Sequence, residues 1–202
     1  MALTDYAGLL AALADFSVRA DQGALWPACV ALAEARANRE LRVRPMVGRA
    51  AASFSTEYFE GPRDLVGAVS LELAEADVKL TYVAPQTLAR LKRADPGAAG
   101  PPRAYSVAGR EFQVWPAPGG PMAAELTYWR RIPALGEETP TNWLLTAHPD
   151  VYLYGALLQF AMTAEDERLG AWAQAYETAL AQAQGAYPTE PDGARLRVDL
   201  PV

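Results

Sequence analysis

Near the start of the chain, apolar residues recur at helical spacing. Leu9, Leu10, Leu13 and Phe16 follow Thr4-Asp5, an N-cap with an acid in the first turn, and predict a helix from Thr4 to Phe16. A second helix starts at Ala24 or Leu25, because Trp26, Cys29, Val30 and Ala33 share a face and Pro27 is tolerated only in a first turn. It runs to about Asn38. The period then falls to two. Phe54, Thr56 and Tyr58 alternate with Ser55, Glu57 and Phe59; after a Gly61-Pro62 break, Val69, Leu71 and Leu73 alternate with Ser70 and Glu72; Val78, Leu80 and Tyr82 follow. Pro85 to Ala94 reads as a short helix carrying Leu88 and Leu91 on one side, and residues 95–102 as a loop. Tyr105 to Val107 turns through Ala108-Gly109-Arg110 into a strand from Glu111 to Trp115, and Leu126 to Arg130 forms the last strand.

The helical period returns at Pro149-Asp150. From Val151 to Met162 the chain is apolar on nearly every side, so this helix has to be covered all round, its second face meeting either the sheet region or a neighbouring subunit. Thr163 then caps a further helix with Glu165, Asp166 and Glu167 in its first turn, and Leu169, Trp172, Tyr176 and Leu180 as its buried stripe, ending at Gly185. Residues 186–202 contain three prolines and no periodic stripe, which predicts an extended arm. The expected fold class is α+β: a mainly helical body with a small antiparallel β-sheet insertion and an extended C-terminal arm. Its parts are N-terminal helices over 1–50, a β-rich region with one short helix over 51–131, C-terminal helices over 132–185, and the arm over 186–202.

Composition narrows the chemistry. Hydrophobic residues make up 51% and charged residues 21% of the 202, which excludes wholesale disorder. No apolar run is long enough to span a bilayer and no signal-peptide pattern opens the chain, so a soluble, unsecreted protein without a membrane partner is expected. A net charge of -6 is the wrong sign for a surface that grips phosphates. The basic stretch Arg36, Arg39, Arg42, Arg44, Arg49 reads either as a solvated helix end or as an interface with an acidic partner.

One cysteine, Cys29, and one histidine, His148, exclude an internal disulfide and a zinc site of the usual kind, so neither metal nor cofactor is expected. His148-Pro149-Asp150 is the first place to look for acid-base chemistry, but it reads better as a local helix start. Glu165, Asp166 and Glu167 are consecutive and cannot close on one ion from a helix. Phosphate-binding and nucleophile-elbow motifs do not occur. Nothing here asks for an enzyme.

Particular segments carry a resemblance. Asp15-Phe-Ser-Val-Arg-Ala-Asp21, Trp26-Pro27, Leu32-Ala33-Glu34-Ala35-Arg36 and Arg39-Glu-Leu-Arg-Val-Arg44 are followed by Gly61-Pro62-Arg63-Asp64-Leu65, Tyr105-Ser-Val-Ala-Gly109 and Trp115-Pro-Ala-Pro118. The most specific run is Leu126-Thr-Tyr-Trp-Arg-Arg-Ile-Pro-Ala-Leu135, Thr141-Asn-Trp-Leu-Leu145 and His148-Pro-Asp-Val-Tyr-Leu-Tyr-Gly-Ala-Leu157. In this order they resemble the tailed-phage head-to-tail adaptor family, also called neck or connector proteins. Gly61 and Leu65 depart from the family's Leu-Pro-x-Asp-Phe signature.

The resemblance implies a structural component of the virion neck, made in the host cytoplasm. It would form a homo-oligomeric, twelvefold ring under the portal protein, contact the tail or a second neck protein, and let genome DNA pass without sequence-specific binding. A tail-completion protein or another ring-forming virion protein is the alternative. An acidic bore would let DNA slide rather than hold it by counterion release. Within that reading, Tyr152, Tyr154, Leu158 and Trp172 are the expected subunit interface. Arg195, Leu196, Arg197, Val198 and Leu200, alternating basic and apolar before Asp199 interrupts the basic set, are the expected portal-binding arm.

Overall fold

A computed structural model describes residues 3–18, 20–74 and 78–187. Among these, 46% are helical and 24% lie in strands, so the fold is α+β with six α-helices and two sheets. The expected mainly helical body with one small antiparallel sheet gives way to two four-stranded sheets, one of which contains a parallel pair. The expected arm over 186–202 lies almost entirely outside the described residues. The chain divides into two compact units, residues 1–45 with 132–202, and residues 46–131.

The first unit is helical. Helix α1 (Tyr6–Ser17) is capped by Asp5, whose Oδ1 accepts the Gly8 N–H at 2.7 Å; Thr4 stays outside. Leu9, Ala12 and Leu13 form its buried stripe, while Phe16 stays exposed. Helix α2 (Trp26–Glu40) buries Trp26, Cys29, Val30, Ala33 and Ala37 and accommodates Pro27 in its first turn. Two cations of the basic stretch are engaged locally: Arg36 pairs with Glu40 at 2.8 Å and lies over the Tyr176 ring, and Arg42, just after the helix, donates to the Asn38 carbonyl. Helix α4 (Trp143–Ala147) has no counterpart in the sequence reading, because one helical turn is too short to show a period.

Helix α5 (Pro149–Ala164) buries nine residues, Val151 to Leu153, Gly155 to Leu158, Phe160 and Ala161. Contacts with α1, α2, α4 and α6 (Leu169–Gly185) surround it. Neither a sheet nor a neighbouring subunit is needed to cover its second face. Glu165, at φ 51°, ends α5 in the left-handed region, so Thr163 caps no new helix: its hydroxyl donates back to the Gln159 carbonyl. The acidic triplet therefore sits in a connector, where Asp166 accepts from the Arg168 backbone and guanidinium. Helix α6 buries Tyr176, Ala179 and Ala183; Leu169 is exposed and Trp172 and Leu180 are half-buried.

In the second unit, β1 (Val47–Phe54), β8 (Met122–Arg130), β3 (Leu65–Leu73) and β4 (Val78–Lys79) form one antiparallel sheet in that order. The other sheet runs β2 (Tyr58–Glu60), β7 (Glu111–Trp115), β6 (Ala104–Ala108), β5 (Thr81–Tyr82), with β5 and β6 parallel. Helix α3 (Pro85–Ala94) lies between β5 and β6 in sequence and buries Leu88. Side chains of both sheets share one core, including Phe54, Leu71, Tyr105, Phe112, Val114 and Leu126, with Phe59 stacked between Phe54 and Phe112 at 4.6 and 5.0 Å. The alternation expected over 54–59 is split by a turn at 55–57. Strand β1 itself, Val-Gly-Arg-Ala-Ala-Ala-Ser-Phe, carries too few large side chains to announce a strand.

One of the two departures from the adaptor signature, Gly61, has a local explanation. A Cβ on Gly61 would sit 2.6 Å from Phe112 Cε2, so nothing as large as leucine fits there. Leu65 is buried, and the signature's aspartate, Asp64, accepts the Tyr128 hydroxyl at 3.0 Å while its carbonyl accepts the Arg131 N–H at 2.8 Å.

Candidate functional site

The polar groups of the helical unit converge on Asn142. Its Oδ1 accepts the Leu145 N–H at 2.8 Å, which caps α4, and its Nδ2 donates to the Pro133 carbonyl at 2.8 Å and to the Tyr152 hydroxyl at 2.7 Å. That hydroxyl donates onward to Glu34 Oε2 at 2.9 Å, and the same oxygen accepts the Leu135 N–H at 3.0 Å. Asn38 Oδ1 accepts the Ile132 N–H at 2.9 Å. One face of α2 thus holds the backbone of Ile132 and Leu135. Burial pushes the Glu34 carboxyl up, against the lowering effect of its two donors. Burial first, then the nearby Glu34 charge, pushes the Tyr152 phenol far above its ordinary value. A phenol held protonated and a carboxylate that accepts two hydrogen bonds on Oε2 tie α5, α2 and the segment at Leu135 together.

His148 closes α4 and opens α5. Its ring lies edge-on to Tyr187 at 5.6 Å, its side chain makes no capping hydrogen bond, and its Nε2 has no hydrogen-bond partner among the described residues. Cys29 is buried, and burial pushes its thiol up. Among the described residues there is no cluster of three or more metal-ligating side chains, and no helix is long and apolar enough to cross a membrane.

The surface of the helical unit is more informative. Of the four residues expected at a subunit interface, Tyr152 is 1% and Leu158 5% exposed, both in the core of their own chain. In the single chain these two leave a neighbour almost no surface to cover. Tyr154 and Trp172 are half-buried and stacked, ring centroids 6.1 Å apart, with the Arg168 guanidinium over Trp172 at 5.5 Å. Arg168 also donates to the Phe16 and Ser17 carbonyls at 3.2 and 3.1 Å, tying the start of α6 to the end of α1. Around this tie, the last turn of α1, the last turn of α5 and the first turn of α6 leave Phe16, Val18, Met162 and Leu169 exposed. Val18 is 80% exposed at φ 60°, a left-handed conformation that β-branched side chains resist. These four large apolar side chains stand exposed at segment ends of the helical unit, two of which Arg168 joins. Sequence patterning missed this exposure because Phe16 matches the buried stripe of α1 by spacing.

The arm residues Arg195, Leu196, Arg197, Val198 and Leu200 lie outside the described residues.

Among curated proteins, none matches this chain. A family model described as SU10 adaptor protein matches residues 4–198, which takes in both units, the signature around Asp64 and the Asn142 network. With nearly the whole chain inside that match, and in accord with the head-to-tail adaptor resemblance carried by its motifs, the chain belongs to the SU10 adaptor protein family.

Proposed function

We propose that this protein is a structural head-to-tail adaptor of a tailed bacteriophage, forming a ring beneath the portal protein that joins the capsid to the tail or a second neck protein and leaves a passage for DNA. The observation that carries this reading is the family match over residues 4–198. The described residues support it by what they offer a partner. The exposed side chains of Phe16, Val18, Met162 and Leu169, with the Tyr154–Trp172 stack, give each copy apolar surface that a neighbour can cover. A closed ring made of one kind of subunit uses such a surface once per copy, against a different one on the next copy. The net charge of -6 favours passage of DNA over its retention. In this reading the protein works in the virion.

The test is assembly. Purified protein is mixed with portal-bearing heads and, separately, with purified tail tube, and each mixture is imaged by electron microscopy. A ring of added density under the portal is the expected result. Binding to the tail tube alone would replace this reading with a tail-completion role, and no binding to either would end it. Sedimentation of the free protein should show monomer or weak association, since rings formed early would compete with assembly on the portal.

A further inference from the structure

We infer that β1 is an acceptor strand: residues 195–200 of a neighbouring copy add to its free edge and extend the sheet by one strand. The proposal rests on the ring reading above and names a contact within it. Strand β1 is at the edge of its sheet, paired with β8 along all eight residues without a register shift. Its outer side carries no backbone hydrogen bond among the described residues. Edge strands are commonly protected by proline, bulges, inward charges or short length. Here there is no proline and no bulge, and Arg49 is the one charged residue.

A cleft of about 350 Å³ runs along this edge. Four consecutive residues, Ala50 to Ser53, line it, so the main-chain edge of β1 fronts the space and not one face of the strand alone. Phe59, Leu126 and Pro62 add apolar lining and Glu60 a carboxylate. The inward-facing Ala50 and Ala52 are half-buried alanines beside large core residues, leaving room for bigger side chains on an added strand.

Residues 195–200, Arg-Leu-Arg-Val-Asp-Leu, match this edge by alternation. Leu196, Val198 and Leu200 would fall on the core side against Ala50, Ala52 and Phe59. Arg195 and Arg197 would fall on the outer face, where Glu125 of β8 stands opposite Ala51 and Glu72 of β3 opposite Glu125. Strand addition of this kind takes affinity from main-chain hydrogen bonds and selectivity from alternate side-chain pockets. Seven residues, 188–194, separate Tyr187 from Arg195, and a chain of that length can span at most about 23 Å at roughly 3.3 Å per residue.

The test uses full-length protein with the photo-crosslinker p-benzoylphenylalanine in place of Val198, mixed with an equal amount of nitrogen-15-labelled copies and assembled on portal-bearing heads. Mass spectrometry is expected to find adducts on the segment from Ala50 to Pro62, with light–heavy pairs as frequent as same-isotope pairs. The crosslinker at Arg197 is the second arm, in case bulk at 198 prevents seating, with adducts expected around Ala51, Ser53 and Glu125. Adducts on the portal, adducts joining only chains of one isotope, or rings without adducts at β1 from either position would overturn the strand proposal and leave the ring reading standing. Heads without any ring would overturn both.

Discussion

The Tyr152 hydroxyl of α5 donates to Glu34 Oε2 of α2 at 2.9 Å, across 118 positions of sequence. Tyr152 is almost wholly buried, and Asn142 donates to the same hydroxyl, so one phenol oxygen joins α5, α2 and the cap of α4. Such a buried group contributes mainly through the cost of leaving its partners unsatisfied.

Tyr152→Phe keeps the ring and removes that oxygen. It should cost about 1–3 kcal/mol of unfolding free energy, the range for stranding a buried polar partner. Urea titration of the purified protein reads it directly. A loss within experimental error would mean that Glu34 and Asn142 find other partners.

At Gly155, the crossing of α5 with α2 and α6 leaves no room for a side chain. A Cβ there would lie 3.0 Å from the Ala33 Cβ and 3.0 Å from Tyr176 Cε2. Helix propensity alone favours alanine over glycine by about 1 kcal/mol. Overpacking against a short side chain fixed to its own helix and a fully buried ring costs about 1–3 kcal/mol. Gly155→Ala should therefore come out net destabilising, and a raised melting temperature would show that the helices can separate.

Val18→Asn separates folding from assembly. Asparagine tolerates the left-handed conformation that valine resists, so the variant should unfold at a higher temperature, gaining about 1 kcal/mol. It also removes the most exposed large apolar side chain of the helical unit. Calorimetry and ring formation on portal-bearing heads should move in opposite directions, and a variant that is more stable yet assembles as well as the parent would discount Val18 as an interface residue.

Two carboxyls give opposite responses to pH. Burial raises Glu34 above its ordinary value, so its contribution to stability is full below the ordinary glutamate range and is lost as pH rises through the raised value. At Glu57 burial also acts upward, but hydrogen bonds from Lys92 and Gln113 and the Lys92 charge outweigh it and leave the group lowered. Its contribution is present above the ordinary range and is lost as pH falls through the lowered value. Glu34→Gln should flatten the decline on the less acidic side, and Glu57→Gln the decline on the more acidic side. Urea midpoints taken between about pH 3 and about pH 7 check both, and the reverse assignment would show the signs to be wrong.

Much of the secondary structure could be read from order alone. Helix α3 spans Pro85–Ala94 as expected, the buried face of α2 is Trp26, Cys29, Val30 and Ala33, and β7 runs Glu111–Trp115. In each case a strong period meets a proline or glycine boundary, and both signals are local. The family was legible too, because its motifs lie in consecutive segments and need no three-dimensional neighbour to be recognised.

What depended on neighbours was not legible. Whether α5 presented a face to another subunit was decided by four helices closing around it, two of them, α1 and α2, from distant sequence. Tyr152 and Leu158 went inside for the same reason, while Tyr154, on the same helix, stacked on Trp172 near the surface. The edge position of β1 came from its pairing with β8, which begins at Met122, 68 residues beyond Phe54. Composition and periodicity determine which residues prefer burial and in what local shape. Which apolar surface remains after packing is set by contacts between distant segments, and on that remaining surface an adaptor's function depends.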